Sequence, residues 1–162
     1  MRECISLRRA TAPEVLSRIN QLRVDHGIRI SNVIVDVMGA VGGIHDHLTG
    51  CVKYSSNARP IGNDGKNYGS LKDQLIFLLA KRIKEGSIRL KFSSEEDRNL
   101  FTEEAIAHRN ISFEKDGKMR VTPKDQVKRS IKRSPDLFDS VYMRMYFDLV
   151  RTGSLSASVW KF

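Results

Sequence analysis

Apolar positions along this chain recur at helical spacing in some stretches and run unbroken in others, and the alternation of the two outlines its elements. Residues 3–8 read as a strand. Thr11-Ala-Pro-Glu14 then opens a helix as a capping box, with Val15, Ile19 and Leu22 on one face and Gly27 closing it. Residues 32–37, Asn-Val-Ile-Val-Asp-Val, surround one acid with apolar side chains and show no alternation, the pattern of a central strand covered by helices on both faces. A short helix is predicted from the glycines that follow to about Thr49, and residues 51–56 read as another strand of the same sheet.

Residues 57–67 hold two glycines, a proline and three asparagines, a loop longer than most connections in compact domains. A strong helical stripe covers residues 68–85. It places Leu71, Leu75, Leu78, Leu79 and Ile83 inward, Lys72, Lys81 and Lys84 outward, and Gly86 just past the end. Residues 87–92 read as a strand. Ser93 and Ser94, followed by Glu96 and Asp97, start a helix that reaches about His108. Alternation on both sides of Asp116-Gly117 predicts a hairpin over residues 111–121. Thr122-Pro123 and Ser134-Pro135 each place a capping hydroxyl before a proline tolerated in a first turn. The last helix, from Pro135 to about Val150, is rich in Phe, Tyr and Met, and residues 151–162 read as a loosely ordered tail. Strands alternating with helices through the first ninety residues argue for an α/β three-layer domain over residues 1–150.

Charge changes this picture more than composition does. The 28 Lys and Arg residues outnumber the 19 Asp and Glu, giving a formal net charge of +9, an excess that suits a polyanionic partner such as nucleic acid. The longest apolar run, residues 75–80, falls far short of the roughly 20 residues that span a bilayer. The N-terminus has no signal-peptide core, so no membrane role and a cytoplasmic location are expected. Cys4 and Cys51 have neither metal-site nor disulfide-scaffold spacing and read as reduced thiols.

Asp36 leads the candidate chemistry. A carboxylate near the C-terminal end of a strand in an open α/β sheet lies where such sheets bind ligands, and its burial needs compensation. A bound cation would supply it; so would backbone N–H groups of the glycine turn that follows. Asp136 and Asp139 are the second candidates. Three residues apart in the first turn of the last helix, they share a face and are favoured there by the helix dipole whatever their function. The stretch just before them holds Lys115, Lys118, Arg120, Lys124, Lys128, Arg129, Lys132 and Arg133 against Asp116 and Asp125. Cations able to hold phosphates thus adjoin carboxylates able to hold a metal, the pairing a nuclease needs. A solvated helix face also explains Lys124 and Lys128. His45 and His47, two apart on a helix, point to different sides and with Cys51 complete no zinc set. The glycine-rich pieces fit neither a P-loop nor a dinucleotide fingerprint, and no serine sits in a nucleophile elbow.

In order and approximate spacing, the pieces VIVDVMGAVGGIHDHL, YGSLKDQLIFLLAKRIKEGSIRL, the hairpin and RSPDLFDSVYMRMYF resemble the C-terminal nuclease domain of the large terminase subunit of tailed bacteriophages, from about residue 30 to residue 147. That resemblance implies a ribonuclease H-like fold with a central mixed sheet and a hairpin before the last helices. It also implies metal-dependent cleavage of double-stranded, concatemeric DNA during packaging in the host bacterial cell. In that family three acids hold two divalent ions, Mg2+ or Mn2+. By position Asp36 would be the second acid and Asp136 the third, with Asp139 a supporting ligand. Lys118, Arg120, Lys128, Arg129, Lys132 and Arg133 would face DNA, and the small terminase subunit and the portal would be further partners. The family's first acid lies in an earlier strand, for which Glu3 is a poor substitute, so the chain reads as a terminase fragment with the first strand or strands missing. Two other readings stay open: a non-catalytic DNA-binding or packaging-accessory module, and another ribonuclease H-like enzyme such as a resolvase or transposase.

Overall fold

The structure is a computed structural model that describes residues 3–4, 7, 9–38, 43–111 and 116–158, with backbone alone at 3, 4, 110, 111 and 152–158. Parts of four expectations lie outside the described residues: the rest of the first strand, the glycine turn at 39–42, residues 112–115 of the hairpin with Lys115, and the end of the tail. The chain divides into two compact units, residues 6–58 and residues 59–162 together with 1–5.

In the smaller unit, α1 (Ala12–Asp25) starts as its sequence dictates: the Thr11 N–H and hydroxyl both donate to the Glu14 carboxylate, at 2.7 and 2.8 Å. It ends at Gly27, whose φ of +59° lets the Ile28 N–H turn back to the Arg23 carbonyl. Next come β2 (Ile34–Asp36), α2 (Ile44–His47) and β3 (Val52–Tyr54). β2 and β3 pair in parallel, with Asp36 opposite Tyr54. β2 is half-buried along its length rather than enclosed on both faces, and β3 is its partner among the described residues.

The larger unit includes β1 (Glu3–Cys4), which pairs in parallel with β4 (Lys91–Phe92); β4 is shorter than the strand its apolar pattern predicts over residues 87–92. Between residues 59 and 90 the chain builds α3 (Leu71–Lys84), preceded by a 3-10 turn at Asn63–Asn67. Ser70 caps α3 by accepting the Asp73 N–H. The first turn of this helix is buried and polar: Lys72, Asp73 and Gln74 are as enclosed as Leu71 and Leu75. Gln74 both accepts from the Ile61 N–H (2.9 Å) and donates to its carbonyl (2.7 Å), while Asp73 accepts the Val121 N–H (2.9 Å). Lys72 therefore lies inside, against its outward expectation, and Ile83 is 47% exposed against its inward one. Both departures arise because the face α3 buries is set by the segments that cross it and is not a single apolar stripe.

α4 (Glu95–Ala107) opens on Ser94, which accepts the Asp97 N–H. β5 (Asn110–Ile111) and β6 (Arg120–Val121) then pair antiparallel, with Gly117 at φ +70° in the turn. The described strands thus form three two-stranded pairings in place of one mixed sheet. α5 (Lys124–Ile131) and α6 (Asp136–Met143) begin without side-chain caps: the Thr122 hydroxyl bonds the Arg109 backbone instead. The expected single last helix is two, α6 and α7 (Met145–Ser158), broken at Arg144, and α7 continues past Val150 to Ser158, so the described part of the expected loose tail is helical. Leu75, Leu79, Val127, Tyr142 and Met145 from α3, α5, α6 and α7 form the core, each worth roughly 1.5–3 kcal/mol of burial. None of the described helices is long and apolar enough to cross a membrane.

Candidate functional site

Asp36 ends β2 in the smaller unit. The Val37 N–H extends the ladder by bonding the Tyr54 carbonyl (2.9 Å), and the chain then turns so that the Met38 N–H donates to Asp36 Oδ1 (3.0 Å). The carboxylate is half-buried, and part of its charge is met by the turn that follows. On α2, His45 leans on Asp46 at 3.4 Å, and Lys53 donates to the same carboxylate at 3.2 Å. The Lys53 bond, with His45 beside it, holds the Asp46 carboxyl below the usual range. His47 is exposed.

Asp136 and Asp139 lie in the larger unit, at the start of α6. Asp136 is exposed. Asp139 is 6% exposed, with Oδ2 accepting from the Lys124 ammonium at 2.6 Å and Oδ1 without a hydrogen-bond partner among the described residues. Around it the fold gathers titratable groups, of which Lys72 is the one the helical pattern of the sequence places in solvent. Lys72 is buried beside Asp139 and Asp73, and desolvation lowers its pKa against the pull of those carboxylates. Glu104 on α4 is 3% exposed. Its Oε2 accepts the Phe138 N–H at 2.8 Å, and its Oε1 lies 3.1 Å from Arg133. Burial raises the Glu104 pKa, opposed by the Phe138 bond and by Arg133. His108 bonds the Glu104 carbonyl through Nδ1 (2.8 Å) and stacks on Phe138 at 4.7 Å, with its pKa lowered first by burial. None of Lys72, Glu104 and His108 was marked by sequence reasoning. The available signal was weak: each interrupts the position where an amphipathic helix meets its neighbour.

The basic stretch splits into two kinds of side chain. Arg120 grips Asp116 with both nitrogens (2.8 and 2.7 Å), holding the Asp116 carboxyl well below its ordinary range. Arg133 reaches Glu103 at 2.6 Å as well as Glu104. Lys128, Arg129 and Lys132 are exposed and make no ion pair among the described residues, and Lys118 is half-exposed. A groove of about 750 Å³ beside α4 and α5 is lined by Asn99, Thr102, Glu103, Gln126 and Ser130 among others, and contains neither Asp136 nor Asp139.

Carboxylate oxygens are the donors a hard divalent cation takes; of the two acids Asp136 is the exposed one, whereas Asp139 Oδ1 is buried and has no hydrogen-bond partner among the described residues. A cage of three or more Asp, Glu, His or Cys side chains is not formed among the described residues.

No family model matches the chain, and no curated protein does. Solved structures do. The nuclease domain of the large terminase subunit gp2 of bacterial virus Sf6 superposes with a TM-score of 0.62 at 18% identity, covering 82% of this chain and 71% of that one. A point variant of the same domain solved with manganese gives 0.62 and 18% over 82% and 72%, and one with calcium gives 0.62 and 18% over 82% and 71%. At this identity the likeness shows the fold alone: the chain has the fold of that terminase nuclease domain, a mixed α/β architecture.

Proposed function

We propose that this chain is the nuclease module of a phage DNA-packaging terminase, a metal-dependent endonuclease acting on double-stranded, concatemeric DNA in the host bacterial cytoplasm. The observation that carries the proposal is the superposition on the Sf6 domain over 82% of the chain. The ordered motifs and the +9 net charge support it. Asp36 and Asp136 are the metal-binding carboxylates in this reading and Asp139 supports Asp136. Divalent ions, Mg2+ or Mn2+, would supply an activated water and stabilise the leaving oxygen. Exposed Lys128, Arg129 and Lys132, with Lys118, hold the phosphate backbone. Arg120 and Arg133 contribute field rather than direct contact, since their guanidinium groups are engaged with Asp116, Glu103 and Glu104. The small terminase subunit and the portal are its partners in that setting.

A second reading, a DNA-binding module without catalysis, is favoured by one observation: the turn N–H of Met38 already serves Asp36, as it would a purely structural acid. Plasmid nicking with Mn2+, Mg2+ or chelator separates the two. Metal-dependent nicking by the wild type that is lost in Asp36→Ala and Asp136→Ala supports the nuclease. Salt-sensitive DNA binding without nicking supports the second reading.

A further inference from the structure

Glu104 stands in the middle of α4, where a leucine would fill the space against α6 at no electrostatic cost. The carboxylate there is 3% exposed; one oxygen accepts a hydrogen bond, and the other faces a guanidinium in an ion pair whose geometry is not that of a hydrogen bond. Oε2 takes the N–H of Phe138 at 2.8 Å, and Oε1 meets the Arg133 guanidinium at 3.1 Å. These two partners bracket the segment Ser134-Pro135-Asp136-Leu137, so both ends of that turn are tied to one side chain 34 residues away from Phe138. Arg133 is tied a second time, to Glu103 at 2.6 Å. Within the turn Pro135 is fully buried. Behind it the Phe138 ring packs on Phe101 (5.6 Å), His108 (4.7 Å) and Tyr142 (5.6 Å).

The local sequence offered a simpler cap. Ser134 precedes the helix and is the residue type that commonly supplies the first free N–H groups with an acceptor, yet α6 has no side-chain cap of its own. A long-range carboxylate takes that place and contacts the residues on either side of the turn, while the one side chain of the turn that carries charge outward, Asp136, is exposed.

We infer that Glu104 is a positioning residue whose paired contacts to Phe138 and Arg133 fix the turn that presents the Asp136 carboxylate. The inference deepens the nuclease proposal and rests on it for the purpose of that presentation. Loss of a partner that orients a ligand commonly lowers metal affinity about 10–100-fold.

The test compares wild type with Glu104→Gln, which keeps an acceptor for Phe138, and Glu104→Met, which removes both contacts at similar volume. Amide hydrogen exchange at Phe138, whose N–H Glu104 accepts, reads the turn without metal, and Mn2+ affinity reads the presentation. In Glu104→Met, exchange at the Phe138 amide accelerates and Mn2+ binding weakens by about tenfold. Glu104→Gln retains the Phe138 protection and most of the affinity. A folded Glu104→Met protein with wild-type exchange at Phe138, or with wild-type Mn2+ affinity, overturns the inference. Should Glu104→Met fail to fold, Arg133→Met, which removes one of the two ties, is judged by the same readouts. Wild type that binds no Mn2+ sinks the nuclease proposal by itself, and the positioning of the turn is then decided by the exchange data alone.

Discussion

The Lys124 ammonium lies 2.6 Å from Oδ2 of Asp139, joining the first turn of α5 to the first turn of α6 across fifteen residues of chain. The carboxylate side chain is 9% exposed and the lysine 33%, so the pair is neither a surface ion pair nor a fully buried one. Surface pairs contribute under about 1 kcal/mol, and breaking buried ones costs about 3–5 kcal/mol. Lys124→Met is accordingly expected to destabilise by about 1–2 kcal/mol. Asp139→Leu is expected to cost more, because Lys72 relies on the same carboxylate. Urea denaturation of the two variants gives the order directly, and equal losses would show that Lys72 has other compensation.

His108 makes stability depend on mildly acid pH. Its Nδ1 faces a carbonyl, which only accepts, so Nδ1 carries the hydrogen and Nε2 holds a buried lone pair without a partner among the described residues. Protonation would place a charge in the core near Lys72 and Lys124, and burial above all lowers the pKa from 6.5. The unfolded ring takes up its proton at a higher pH than the folded one. Stability therefore falls as pH drops through the unfolded value and levels off below the folded one. Thermal melts of wild type and His108→Gln across that window should converge toward acid pH. A wild-type slope that survives the substitution would assign the effect elsewhere.

Lys132 ends α5 in the left-handed region, at φ +57°. That conformation costs a side-chain-bearing residue roughly 1–2 kcal/mol, which the greater unfolded-state freedom of glycine partly offsets. Lys132→Gly is expected to stabilise the protein by about 0.5 kcal/mol and, if Lys132 holds a phosphate, to weaken DNA binding with a salt slope smaller by about one. Chemical denaturation and gel shifts over a salt series check the two effects separately. Stabilisation with an unchanged slope would remove Lys132 from the DNA-facing set.

What the sequence made legible was local. Thr11 with Glu14, Ser94 with Asp97, and the glycines at 27, 86 and 117 stand where their chemistry predicts, because each signal and its partner lie within a few residues. The position of Asp36 at the end of a parallel strand was legible for the same reason. The charged interior of the larger unit was not. Lys72 is compensated first by Asp139 and only then by its neighbour Asp73, and Glu104 by Phe138 and Arg133; the leading partners come from distant parts of the chain, and a charged side chain without a visible partner reads as solvent-facing. The break between α6 and α7 at Arg144 was hidden too, since no glycine or proline marks it.

The first turn of α3 grips two remote segments entirely through their main chain: Gln74 holds both polar groups of Ile61, and Asp73 holds the N–H of Val121. Any residue except proline offers the same N–H and carbonyl. The two sides of each contact therefore have unequal freedom to vary. Positions 61 and 121 can exchange their side chains, within the limits of packing, and still be recognised, whereas Gln74 and Asp73 have no synonym of the same reach and polarity. A library randomised over these four positions would return diversity at the gripped pair and near-uniformity at the gripping pair. The helix thus resembles a jig, indifferent to the identity of the piece it holds and exacting about its own shape.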